Sequence, residues 1–124
     1  MAIEKGCEHM AKHILFTLTS WIEEDGRGPY YCPDCAAVEG FLFYSPHIRD
    51  KIETVHVNFP RPRNQIADLL GEENQSCPVL VLTEEAGMVP GAKMSMTTGR
   101  KFINDALAIC NFLAEAYNGI KQHP

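Results

Sequence analysis

No apolar run of membrane-spanning length occurs in this sequence. The two strongest, residues 13–19 (HILFTLT) and 79–83 (VLVLT), fall well short of the ~20 residues a helix needs to cross a bilayer. Residues 1–12 hold no apolar segment of signal-peptide length, so a soluble, cytoplasmic protein is expected. Basic charge is also in deficit. Eleven Lys and Arg stand against 16 Asp and Glu, a formal net charge of −5, which argues against the basic face a nucleic-acid partner requires. The five cysteines (Cys7, Cys32, Cys35, Cys77, Cys110) are an odd set that cannot all pair, so a disulfide-stapled scaffold is not expected. A second Cys-x-x-Cys is missing too. A structural zinc site normally takes four ligands, typically from two such pairs, and Cys7-Glu8-His9 is a poor second half by spacing.

What remains is a globular composition, 45% hydrophobic and 22% charged, in 124 residues without internal repeats. One domain is expected, over residues 13–118, with an extension at 1–12 and a tail at 119–124. Residues 13–19 are apolar or β-branched throughout, the pattern of a strand covered on both faces. Asp25-Gly26-Arg27-Gly28-Pro29 marks a loop. A helix then starts at Pro33, where a missing N–H costs nothing, and stops at Ser45-Pro46; Ala36, Ala37, Phe41 and Tyr44 recur at helical spacing. Val55, Val57 and Phe59 alternate with Thr54, His56 and Asn58, which predicts an edge strand with one wet face. A short helix carrying Ile66, Leu69 and Leu70 ends at Gly71. Residues 79–83 form a second covered strand, and residues 94–98 a short edge strand. The last helix shows an apolar stripe of Ile103, Ala106, Leu107, Cys110, Leu113, Ala114 and Tyr117, with Asn104 as N-cap and Gly119 as stop. The order is β-α-β-α-β-β-α, an α/β fold with a mixed four-stranded sheet and helices on both faces.

Tyr31-Cys32-Pro33-Asp34-Cys35 lies where a strand hands over to a helix. Cysteines at a helix N-terminus meet unpaired N–H donors and the positive end of the helix dipole, and thiolate is the reactive and metal-binding form of the side chain. Redox chemistry and metal binding both suit the pair. If redox, Cys32 is the exposed nucleophile and Cys35, one turn in, the resolving thiol. If metal, Cys32, Cys35 and Cys77 are the three sulfur ligands for zinc or iron. Cys77 also fits a small half-buried hydrophobe. Arg61 and Arg63 follow the second strand and are suited either to clamping a carboxylate or to a solvated turn. His13 and His56 fall in strands and read as packed or surface residues. Trp21, Tyr30 and Tyr31 flank the site loop as an apolar wall, and Cys110 belongs to the core.

This element order, with Cys-x-x-Cys opening the first helix, resembles the thioredoxin-like superfamily in its glutaredoxin-type form. Three strings carry the resemblance: Tyr31-Cys32-Pro33-Asp34-Cys35, Ser76-Cys77-Pro78-Val79-Leu80, and Ile103-Asn104-Asp105-Ala106-Leu107. It implies a thiol–disulfide oxidoreductase with Cys32 and Cys35 catalytic. Pro78 would be a cis-proline facing them. Tyr31, Arg61, Arg63, Cys77, Asn104 and Asp105 would hold glutathione, or the disulfide of a protein partner. The strings Asn58-Phe-Pro-Arg-Pro-Arg63 and Gly71-Glu-Glu-Asn-Gln-Ser-Cys-Pro-Val-Leu-Val81 are more closely similar to a bacterial thioredoxin-like domain family of unknown function. The alternative is a non-catalytic metal-binding or glutathione- or partner-binding module on the same scaffold.

Overall fold

The fold is seen in a computed structural model that describes residues 10–124; Cys7 and most of the expected extension lie outside them. Strand β1 (Ile14–Leu18) leads through a loop to helix α1 (Pro33–Tyr44). A 3₁₀ turn at Pro46–Asp50 precedes β2 (Glu53–Val57), followed by α2 (Asn64–Leu70) and β3 (Val79–Val81). The hairpin β4 (Lys93–Met94) and β5 (Lys101–Ile103) comes next, and α3 (Ala106–Tyr117) closes the order. The sheet is mixed and five-stranded, in the order β2-β1-β3-β5-β4. β1 and β2 run parallel from Ile14↔Glu53 to Leu18↔Val57, and the other three pairings are antiparallel.

Alternation along the central strands sorts the core into two halves, because successive side chains leave a strand on opposite faces. Leu15, Leu80 and Ile103 meet Val38 and Leu42 of α1 and Ile109 and Leu113 of α3. Phe16, Val79, Val81 and Phe102 meet Ile66 and Leu70 of α2. Both faces of the sheet are therefore covered by helices, and the expected edge position of β2 holds. No helix among the described residues is long and apolar enough to cross a membrane.

Four expectations are corrected. The sheet has five strands rather than four. Residues 101–103, read from sequence as the approach to the last helix, pair with both β3 and β4. The edge strand expected at 94–98 is Lys93–Met94, and the backbone N–H of Ser95 donates to the Arg100 carbonyl across the hairpin at 2.8 Å. The cap of α3 is Asp105 rather than Asn104: its carboxylate accepts from the Ala108 N–H at 2.9 Å. At the other end Asn118, in the left-handed region at φ 58°, is the C-cap one residue before Gly119. The buried stripe of α1 is Cys35, Val38 and Leu42, while Ala36, Ala37 and Tyr44 are exposed. The three buried residues also lie at helical spacing, so periodicity alone admits either stripe. Seating Cys35 against the sheet selects this one.

Candidate functional site: a thiol cluster at the start of helix α1

The loop before α1 is fixed by aromatic stacking rather than by regular structure. Trp21 lies face to face with Phe59, 4.2 Å between ring centroids and 12° between planes, and it bridges to Tyr30 through paired backbone hydrogen bonds of 3.0 and 2.8 Å. The expected aromatic wall is therefore Trp21, Tyr30 and Phe59, whereas Tyr31 is 70% exposed. This braced loop delivers Cys32 to the N-cap of α1, with Pro33 as the first helical residue. The Cys35 N–H donates to Sγ of Cys32 at 3.1 Å, so sulfur fills the place an oxygen takes in an ordinary side-chain cap.

Cys32 is only 9% exposed, which corrects the expectation of an exposed nucleophile. The reason is local: its Sγ lies 4.0 Å from the backbone carbonyl of Cys77, which covers it from the β3 side. Cys35 is 4% exposed. Burial pushes its thiol up to about 12, with the hydrogen bond to Cys32 acting in the same direction and a backbone hydrogen bond with Leu18 opposing it. The two sulfurs are thus placed unequally, one at a helix end with a donor aimed at it and the other held as a neutral thiol.

Cys77 is half-buried, immediately before Pro78, and the Cys77–Pro78 bond is cis, as the resemblance implies. Burial pushes this thiol up to about 11, while the guanidinium charges of Arg63 and Arg61 act against that rise and Cys32 adds to it. The arginines differ sharply. Arg61 is exposed at the surface. Arg63 is 7% exposed, and its guanidinium donates from Nε and Nη2 to the Phe59 carbonyl (3.0 and 2.6 Å) and from Nη1 to the Gln75 carbonyl (2.8 Å). Its backbone N–H is also capped by the Gln75 side chain. Arg63 is a buried tie between the β2–α2 turn and the loop before β3.

Asn104 and Asp105 lie apart from the arginines. Together with Asp34, Ala36, Ala37 and Leu107 they line a groove of about 650 Å³ between α1 and α3. Cys110 forms part of its floor; burial pushes that thiol up to about 11, as suits a core residue. Cys32, Cys35, Cys77 and the arginines therefore act on one another as one constellation, and Asp34, Asn104 and Asp105 line the groove as another. Among the described residues, no group of three or more His, Cys, Asp or Glu is arranged to hold a metal ion.

One cluster escaped the sequence reading. Glu39, one turn below Cys35, accepts from Arg49 Nη2 (2.7 Å) and Thr17 Oγ1 (3.2 Å) and pairs with His56 Nε2 (3.2 Å). Burial works to raise its carboxyl, but Arg49, His56 and Thr17 outweigh it and hold the group below the usual carboxylate range. The buried Thr17 inside an apolar strand was its only sequence signal.

The chain belongs to a family described as a protein of unknown function (DUF3088), whose model matches residues 12–121. No curated protein and no solved structure matches it.

Proposed function

We propose that this protein is a thioredoxin-like, glutaredoxin-type thiol–disulfide oxidoreductase in which Cys32 attacks and Cys35 resolves. The observation that carries the reading is the unequal setting of the two sulfurs: Cys32 Sγ caps α1 with the Cys35 N–H 3.1 Å away, and Cys35 is buried as a neutral thiol. The layout of the sheet lends support. Strands β2-β1-β3-β5 hold one parallel and two antiparallel pairings, with α1 and α3 on one face and α2 on the other; β4 extends the far edge.

The reaction starts with the Cys32 thiolate attacking one sulfur of a glutathione or protein disulfide. The Cys32–S–S–R bond forms as the S–S bond of the substrate breaks, and the leaving thiolate takes up a proton. Cys35 then loses its proton and attacks Cys32 sulfur, releasing the second thiol. Two electrons pass from the dithiol to the substrate, and a reducing thiol such as glutathione returns them. Burial keeps Cys35 a neutral thiol, so it gives up its proton as it attacks. The alternative reading is a metal site at Cys32, Cys35 and Cys77. For glutathione itself, exposed Arg61 and the groove residues Asn104 and Asp105 are the groups we assign to its carboxylate and amino ends. Arg63 serves to hold the turn.

Iodoacetamide alkylation of the native reduced protein, mapped by peptide mass, tests the assignment. Cys32 labels first and Cys32→Ser abolishes that label, while the serine hydroxyl still caps the helix. Equal labelling of Cys32 and the core thiol Cys110 would overturn it.

A further inference from the structure

The thiol cluster holds one sulfur more than a dithiol reaction uses. Cys77 lies beside Cys32, its own carbonyl oxygen 4.0 Å from the Cys32 sulfur, and its side chain is close enough for the two thiols to act on each other electrostatically. It is half-buried, so its sulfur is less enclosed than those of Cys32 and Cys35. Beside it stand two cations, one of them fixed: Arg63 cannot swing away without breaking its bonds to the Phe59 and Gln75 carbonyls. A thiolate formed at Cys77 is therefore stabilised by charges already in place.

We propose that Cys77 is a second resolving thiol, which captures the mixed disulfide on Cys32 and closes a Cys32–Cys77 disulfide in competition with Cys35. This rests on the reading of Cys32 as nucleophile and adds a branch to it. In the step, the Cys77 thiolate attacks the Cys32 sulfur of Cys32–S–S–R, the Cys32–Cys77 bond forms, and RS⁻ leaves and takes the proton that Cys77 gave up. The electron count equals that of resolution by Cys35, and the oxidant is the disulfide that first loaded Cys32. Burial pushes both competing thiols up, Cys35 to about 12 and Cys77 to about 11, so each gives up its proton as it attacks; the guanidinium charges of Arg63 and Arg61 oppose the rise at Cys77. Closing this bond also draws together α1 and the loop before β3, which the Cys32–Cys35 bond leaves unlinked.

The test removes the first resolver. Full-length Cys35→Ser and the double variant Cys35→Ser/Cys77→Ser are exposed to glutathione disulfide, quenched by alkylation, and read by intact mass and non-reducing peptide mapping. The single variant is expected to lose its glutathione adduct and yield a linked Cys32–Cys77 peptide pair, whereas the double variant keeps the adduct. A stable adduct on Cys32 in the single variant overturns the branch and leaves the proposed activity standing. Failure of Cys32 in the double variant to accept glutathione overturns both. Cys35→Ala is run in parallel, because a serine hydroxyl in a site that is 4% exposed can unfold the chain.

Discussion

The residues of the site show how burial assigns roles that residue type alone leaves open. Arg61 and Arg63 read as a matched pair, yet the turn exposes one and closes the other over the Phe59 and Gln75 carbonyls. Nothing in Phe59-Pro-Arg-Pro-Arg63 reveals which is which, because the partner carbonyl of Gln75 comes from a distant loop. His13 shows the same effect. It is 8% exposed, packs edge-on against Phe112 at 5.3 Å, and accepts the Thr83 N–H on Nδ1 at 2.9 Å. Burial lowers its pKa from 6.5, so the folded chain binds fewer protons at this ring than the unfolded chain. Its contribution is complete above about pH 6.5 and is lost as pH falls below that value toward the lowered folded pKa. In urea unfolding across pH, His13→Asn, whose amide oxygen still meets Thr83, is expected to lose less stability on acidification than wild type. Parallel curves for the two proteins would contradict this.

At the scale of elements, the strong signals were the covered strands and the punctuation. Pro33 opens α1 and Gly71, at φ 90°, ends α2, both as read from sequence. The weak signals were short or ambiguous in period. Three residues of β5 are too few for alternation to declare itself, and Ile103 fits a helical stripe as well as a strand. Once β5 claims Ile103, the helix start moves along and Asp105 becomes the cap. Asp105→Ala is therefore expected to cost about 1 kcal/mol in chemical unfolding, the usual loss for an N-cap carboxylate. Asn104→Ala should cost clearly less. Equal losses, or a larger one at Asn104, would return the cap to the earlier position.

Across the whole molecule, strand direction accounts for why the site lies where it does. β1 and β3 run antiparallel with Phe16 beside Val79, so the β1–α1 loop and the loop before β3 converge at one end of the sheet. Cys32, Cys35 and Cys77 come together there, although 42 positions separate Cys35 from Cys77 (77 − 35). The Cys-x-x-Cys at a strand-to-helix junction was legible because it is local. The shielding of Cys32 by the Cys77 carbonyl and the ion-pair cluster around Glu39 were not, since each depends on strands brought together only by folding. Membership of a family of unknown function gives no activity against which to weigh the thiols, so the central claim rests on their chemistry. The direct measurement is a redox titration of the native full-length protein in glutathione buffers of graded ratio, with thiols counted by alkylation and linkages mapped. The account predicts a reversible Cys32–Cys35 disulfide that forms in one two-electron transition and is abolished by Cys32→Ser. Protein that keeps both thiols reduced at every ratio, while still folded, would contradict it.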